Sequence, residues 1–432
     1  MPSTALEGVR VLDLTRGWSG PIGVRLLGDL GAEVIKIESL MGRGMAEVKP
    51  PQATSYPRVC HAAYPNNDPG EEPYNRYGPF NEYHRNKLSL TLDLTNEECK
   101  EIFRRLASLS DVVVENYSPR VMRNFGLDYP ALSRINPAII MISMPGFGMN
   151  GPYRNYVSYG TDTEPSSGFC SLIGYPGPVP YKSGEAYSDP NAGLHAVGAV
   201  LTALFYRRRT GKGQFIDLSQ RDALVGLIGE RLLASSMNRE EPQRMGNSHP
   251  YYAPHGCYRC RGEDRWVTIA VTSEEEWSAL CDVLGNPPWT REERFADQMS
   301  RWQNQKEIDA HLSRWTAGRD YMDVMHTLQA RGVPAAAVFT NQDIVEDPHL
   351  KERGYFWDIP HPRAGTLSFP GVPVRLSRTP GRLIRPAPTM GEHNNYVILE
   401  LLGLQTGLAA RLEEEGAIGT HPPTAYEGPA YG

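Results

Sequence analysis

Val9-Arg-Val-Leu-Asp-Leu14, Thr15-Arg-Gly-Trp-Ser-Gly-Pro21 and Ala32-Glu-Val-Ile-Lys-Ile37 read in succession as strand, turn and strand. Between the turn and the second strand, Pro21 stands at a plausible first helical position, and the helix it opens runs to Leu30 before Gly31 stops it. Strand, helix and strand within about 30 residues make a βαβ unit, which requires a parallel sheet and a right-handed crossover. Glu38 closes the second strand, where dinucleotide-binding folds carry a ribose-binding acid. The glycines disagree with that site. Gly17-Trp-Ser-Gly20-Pro is not G-x-G-x-x-G, and a proline stands where a backbone amide is wanted. The expectation is a Rossmann-like α/β fold without a nicotinamide site.

Working outward, residues 41–83 form a long irregular segment rich in Pro, Tyr, Asn and Gly, and loops of that length inside a domain are usually functional. Asn86 to Leu94 alternates like a strand. Thr95-Asn-Glu-Glu98 reads as a capping box opening a helix to about Leu109. Asp111-Val-Val-Val-Glu-Asn-Tyr117 and Ala138-Ile-Ile-Met-Ile-Ser143 have the composition of buried parallel strands. Ligands in such sheets sit at the carboxyl ends of strands, so the loops at 15–21, 116–120 and 144–152 should share one rim. After a strand at 214–218 and a helix from Gln220 to about Met237 the character changes. Residues 240–256 are polar and irregular, 266–271 are a strand, and 273–330 are helical. From Val333 the strand-and-loop style returns, with a terminal helix at Asn394–Leu402 and an extended tail from Thr420. The expected organisation is a large domain from residues 1–224 and 331–432 around a smaller one at 225–330.

A chain of 432 residues has room for two or three domains with sizeable cores. The net charge of −6 argues against non-specific nucleic-acid binding, which needs a basic surface. No run of 18 apolar residues suggests a membrane span, and the opening Met-Pro-Ser-Thr-Ala-Leu-Glu has no basic region followed by an apolar core, so a cytoplasmic location is expected. Six scattered cysteines fit a reducing compartment. Cys257-Tyr-Arg-Cys260 has no partner pair at zinc spacing and lies on a strand-like run that points its cysteines apart, so no metal site is expected.

Residues 184–214 combine an acid, Asp189, with a small apolar helix opened by Pro190, closed by Arg207, Arg208 and Arg209 and stopped by Gly211. Taken alone, Asp189 has two readings: an N-cap, or a carboxylate presented to a ligand at the positive end of a helix.

These residues resemble family III CoA-transferases, the group of carnitine, formyl and benzylsuccinate CoA-transferases that shares its fold with α-methylacyl-CoA racemases. The resemblance rests on Gly8 to Leu14 with Gly20-Pro21, Leu30 to Glu38, Asn86-Lys87 through Leu94, and Asp111 to Tyr117. It continues at Arg209-Thr-Gly-Lys-Gly-Gln214, Asp347-Pro-His-Leu350 and Gly391-Glu-His-Asn394. It implies a Rossmann-like large domain made from both chain ends, a small middle domain, and an interlocked dimer. By the resemblance Asp189 is the nucleophile, forming an aspartyl anhydride and then a thioester with CoA. Arg16, Gly17, Leu92, Asn116, Tyr117 and Asn124 would bind CoA, with Arg120 or Arg123 as a further base. Trp18 would shape the acyl pocket, and Asp162 would support the acid. Acyl-CoA, with succinyl-CoA a candidate donor, and a carboxylic acid would be the substrates. A homodimer is expected, with a heteromer of paralogous subunits as the alternative.

Thr161 stands where the racemases carry the histidine of a His-Asp pair, and a threonine is no general base near neutral pH, so transfer is favoured over racemisation. His195 is expected to be a packed helix residue. Residues 246–256 match the position of a glycine-rich lid but lack its run of glycines. Tyr56, Tyr64, Tyr74, Tyr77, Phe80 and Tyr83 either pack the long loop or point to an aromatic acid as substrate.

Overall fold

A computed structural model describes residues 4–41, 63–239 and 241–423, so Tyr56, Cys60 and the last nine residues of the tail lie outside the described residues. The chain divides into two compact units. The larger contains residues 183–230 together with Met1–Phe169 and Glu352–Gly432; the smaller contains Cys170–Lys182 and Arg231–Lys351.

The larger unit is built on six parallel strands: β1 (Arg10–Asp13), β2 (Glu33–Glu38), β3 (Lys87–Thr91), β4 (Val112–Glu115), β5 (Ile140–Ser143) and β6 (Phe215–Asp217). Their order is β3-β2-β1-β4-β5-β6, with β1 flanked by β2 and β4 in parallel register. This is the doubly wound order, and it reverses between β1 and β4, where a ligand crevice opens beyond the strand ends. Alternation along each strand sorts side chains to two faces. Leu12, Ile35, Leu90, Val113 and Met141 share a core with the Glu97–Ser108 helix and with Val397, Ile398 and Leu412 from the far end of the chain. Val11, Val34, Val112, Val114 and Ile142 instead meet Val24 and Leu27 of the Ser19–Asp29 helix and Ala192, Ala196 and Val200 of the Ser188–Thr210 helix.

The second half of the chain closes the β3 edge. The backbone N–H of Asn86 donates to Arg385, Gly391 N–H to Ser89 Oγ, and Thr91 N–H to the side chain of Asn394. The C-terminal hairpin pairs β10 (Phe356–His361) with β11 (Gly365–Pro370); the smaller unit supplies β7 (His255–Arg259), β8 (Trp266–Ala270) and β9 (Ala335–Ala337), antiparallel in that order. The smaller unit therefore runs past residue 330 to Lys351, because β9 pairs with β8 and cannot belong to the other sheet. It also takes in Cys170–Lys182, since Arg244 Nη1 donates to Ser171 O and Gly246 N–H to Gly174 O.

Local expectations need several corrections. Both helices assigned a first-position proline begin two residues earlier, at Ser19 and Ser188, leaving Pro21 and Pro190 at the third position. The first four N–H groups of a helix have no internal acceptor, so proline is tolerated throughout that turn. The Glu97–Ser108 helix is capped by Asn96, which accepts from Glu98 and Cys99, and not by Thr95. The described part of the 41–83 segment contains short helices at Pro73–Arg76 and Gly78–His84. The expected terminal helix is a π-helical turn, Tyr396–Leu401, followed by an unforeseen helix at Thr406–Glu414.

Candidate active site

Asp189 is not the N-cap of its helix. It is the second residue of the Ser188–Thr210 helix, behind a Tyr187 cap that makes no side-chain bond. Buried Glu164 organises the approach: its carboxylate accepts from Ser183 N–H, from Ser183 Oγ and from Tyr187 N–H at 2.7–2.8 Å. Ser188 Oγ meets Thr163 Oγ1 at 2.7 Å. With the backbone held on both sides, the Asp189 carboxylate lies against Gly160, and the polar groups of Ser19 at the start of the Ser19–Asp29 helix act to lower its pKa.

Close approach of backbones makes this contact. The two helices cross at Gly23 and Gly193, where a Cβ on Gly23 would stand 2.6 Å from the Gly193 carbonyl oxygen. A Cβ on Gly160 would fall 1.7 Å from Asp189 Oδ2, so only glycine leaves room for the carboxylate there. Burial raises the Asp189 pKa to about 6, against the lowering effect of the two Ser19 donors. Desolvation therefore outweighs the hydrogen bonds, and the group is an ionised but comparatively basic carboxylate near neutrality.

The loops after β1 and β4 are tied together at the switch point. Asn116 Oδ1 accepts from Arg16 N–H at 2.9 Å, while Asn116 Nδ2 donates to Arg16 O at 2.8 Å and to Ser19 Oγ at 3.2 Å. Tyr117 N–H donates to Glu115, whose buried carboxyl is pushed up to about 7, and burial raises the Tyr117 hydroxyl pKa. A cleft of about 280 Å³ opens beside them, lined by Arg16, Leu92 and Tyr117, and also by Glu38, Val121 and Phe125. It thus gathers three of the six residues expected at CoA. Gly17 forms the left-handed turn next to it, with φ 72°. The Asn116 amide faces the protein's own backbone and Ser19. Asn124 is exposed on the Val121–Phe125 helix and does not line the cleft.

Trp18 stacks on Tyr83 with ring centroids 6.2 Å apart, and its Nε1 is buried with no hydrogen-bond partner. Of the aromatic residues in the long loop, Tyr64, Tyr74 and Phe80 are buried as packing, and Tyr83 reaches Trp18. Asp162 Oδ2 accepts from Tyr159 N–H at 2.9 Å and so anchors the start of the Gly160–Ser166 helix. His195 is exposed and not packed, with Nδ1 donating to Asn191 O. Residues 246–256 lie in the smaller unit and, with β8 and β9, line a separate cleft of about 550 Å³. Cys257 and Cys260 are free thiols whose pKa values burial raises. Among the described residues no group of three or more His, Cys, Asp or Glu is placed to hold a metal, and no helix is long and apolar enough to cross a membrane.

Ser19 and Glu164 escaped the sequence reading. Neither has a local signal: one precedes the Gly20-Pro21 turn, the other sits beside Pro165, and only the fold brings Ser19 near Asp189 and Glu164 to the turn before it.

Comparison with known proteins matches these features to one group. The family model described as CoA-transferase family III covers residues 6–394. The succinate–glutarate CoA-transferase of Agrobacterium fabrum is 31% identical over 92% of this chain and 95% of its own length. The succinyl-CoA–D-citramalate CoA-transferase of Chloroflexus aurantiacus is 30% identical over 96% of this chain and 99% of its own. The crystal structure of a CAIB/BAIF family protein from Brucella suis superposes with a TM-score of 0.81 at 32% identity, covering 92% of this chain and 99% of that one. Matched over some nine-tenths of its length in sequence and in its doubly wound sheet, the chain belongs to CoA-transferase family III and is a CoA-transferase.

Proposed function

We propose that this enzyme moves CoA from an acyl-CoA donor to a carboxylic acid through covalent intermediates on Asp189. The observation that carries the reading is the state of Asp189: a carboxylate packed against Gly160, with burial lifting its pKa to about 6. A carboxylate of ordinary acidity is a weak nucleophile; one near 6 is more basic and still mostly ionised at neutral pH.

Asp189 attacks the thioester carbonyl, the C–S bond breaks, and CoA leaves as thiolate beside a mixed anhydride. The thiolate attacks the aspartyl Cγ, the anhydride C–O bond breaks, and the donor acid departs as carboxylate. The acceptor carboxylate then attacks the aspartyl thioester and expels the thiolate. That thiolate takes the acceptor acyl group and frees Asp189. No proton or electron is gained or lost over the cycle. The Ser19 N–H and the first-turn amides of the long helix are suited to negative charge developing on the aspartyl oxygen.

The cleft at Arg16, Leu92 and Tyr117 is assigned to CoA, with Arg120 and Arg123, both exposed, supplying charge to phosphate. Trp18 and Tyr83 form a wall of the acyl pocket, and the unpaired Trp18 indole N–H is a donor for an acid oxygen. Asp162 acts at a distance by holding the Gly160 turn against Asp189. The relatives' names include succinate, glutarate and D-citramalate, which favours succinyl-CoA as donor and a small dicarboxylic acid as acceptor. A homodimer is proposed as the working form.

The test is to incubate the protein, expressed alone, with succinyl-CoA and a panel of acids, then trap with hydroxylamine and digest. Label is expected on the peptide holding Asp189, and Asp189→Ala should lose both label and exchange. Normal transfer by Asp189→Ala would overturn the mechanism.

A further inference from the structure

A cleft of about 540 Å³ opens at the other end of the sheet from the one at Arg16, Leu92 and Tyr117. Its wall includes Glu33 and Val34, which begin β2, and Asn86 and Leu88 at the start of β3. Glu38, at the far end of β2, lines the first cleft. At about 3.3 Å per residue, β2 holds the two clefts roughly 17 Å apart. Ile384, Arg385, His393 and Tyr396 from the C-terminal segment complete the wall.

Most polar groups of this wall are already engaged. Glu33 pairs with Arg10 and accepts from the Tyr396 hydroxyl at 3.1 Å. Asn86 uses its whole amide: Oδ1 accepts from Ile384 and Arg385 N–H, and Nδ2 donates to Asp29 and to Arg382 O. Those bonds fasten the Arg385 backbone to the start of β3. His393 N–H donates to Ser89 O at 3.0 Å, and His393 Nδ1 accepts from Ser89 N–H at 3.2 Å. An accepting Nδ1 carries no proton, so the ring is neutral and its N–H is at Nε2. Burial, and after it the Arg385 charge, lower the His393 pKa and favour that neutral form. Among the described residues, neither His393 Nε2–H nor the Arg385 guanidinium has a hydrogen-bond or ion-pair partner. The acids nearby are committed: Glu392 accepts from Thr389, Asp29 pairs with Arg85, and Glu72 with Arg363.

We propose that this cleft binds a small organic acid, with its carboxylate on the Arg385 guanidinium and His393 Nε2–H and its hydrocarbon body on Ala32, Leu88 and Ile384. A planar carboxylate matches the guanidinium fork, and one uncompensated positive charge is balanced by one anion. The apolar part of the wall favours a carboxylate with a short chain over inorganic phosphate, which would leave that surface bare. The site lies at the far end of β2 from the cleft assigned to CoA, and it does not depend on how CoA is transferred.

Butyrate is the probe, and the His393 ring is the readout. The full chain is isotopically labelled at the histidine Cε1 for NMR, and the His393 resonance is the one missing from His393→Gln. Butyrate should shift that resonance saturably. Butyramide, of the same shape without the charge, should not. Arg385→Gln should weaken the butyrate effect about tenfold, with melting temperature and acyl-CoA exchange unchanged, and Arg385→Lys should keep part of it. Phosphate should act more weakly than butyrate at equal concentration. An unmoved His393 resonance, an equal response to butyramide, or undiminished binding by Arg385→Gln would overturn the proposal. A response to phosphate alone would overturn the assignment of the ligand as a carboxylic acid.

Discussion

At the scale of one residue, the chemistry depends on how far burial and hydrogen bonding oppose each other at Asp189. Burial raises its pKa to about 6 in spite of Ser19. In the proposed mechanism the ionised form is the nucleophile, so kcat/KM should fall about tenfold per pH unit below pH 6 and level off above it. The same shift has a stability consequence. The folded pKa lies above the ordinary value of 3.8, so between 3.8 and about 6 the folded protein binds more protons than the unfolded chain and loses stability as pH rises. Asp189→Asn has no such proton. Its melting temperature should match wild type below the window, gain through it, and stay higher at pH 7. Thermal melts across pH check this, and a variant less stable than wild type at pH 7 would contradict it. Taken alone, Asp189 could equally be a cap; it was singled out by the family resemblance, from its place before a long helix ending in Arg209-Thr-Gly-Lys-Gly-Gln214. Ser19 was not, because a serine before Gly-Pro has no spacing that points 170 residues ahead.

At the scale of elements, the site is a junction of two helix starts. The Ser19–Asp29 and Ser188–Thr210 helices approach through Gly23 and Gly193, and that approach brings Ser19 to Asp189. Gly23→Ala puts a Cβ 2.6 Å from the Gly193 carbonyl. It should cost ~1–3 kcal/mol in urea unfolding, and lower exchange further by parting the two helices. Gly198→Ala, on the same long helix with open space around it, is the control: it should be neutral or stabilise by ~0.5–1 kcal/mol with exchange intact. If both variants behaved alike, the crossing would not be what places Asp189. Strands were readable here from period and composition, because runs such as Val112–Glu115 need burial on both faces. Helix starts were less so. Proline signals the first turn but not the position within it, and Pro21 and Pro190 both stand two residues later than the first position.

At the scale of the molecule, the two ends of the chain make one core. Val397, Ile398 and Leu412 are fully buried against the sheet, and Asn394 bonds Thr91 and Gly419. Ending the chain before residue 381 would expose that sheet face and leave the β3 edge without its covering hydrogen bonds. Such a truncation should be insoluble or fail to show a cooperative thermal transition. A soluble truncation with a cooperative melt would mean that the first half of the larger unit folds alone.

The sequence by itself determined the parallel α/β sheet, the return of the chain's second half to it, and the identity of the acid that starts the long helix. These follow from local periodicity, turn residues and motif order, which a linear chain carries directly. The tertiary structure alone decided that Asp189 lies inside its helix and not at the cap, that Gly160 and the Gly23–Gly193 crossing make room for it, and that Asn116 faces Ser19. It also decided that β9 belongs to the smaller unit. Each of these depends on which backbones approach within a few ångströms and which carboxylate loses its water, and those distances arise only when distant segments pack together.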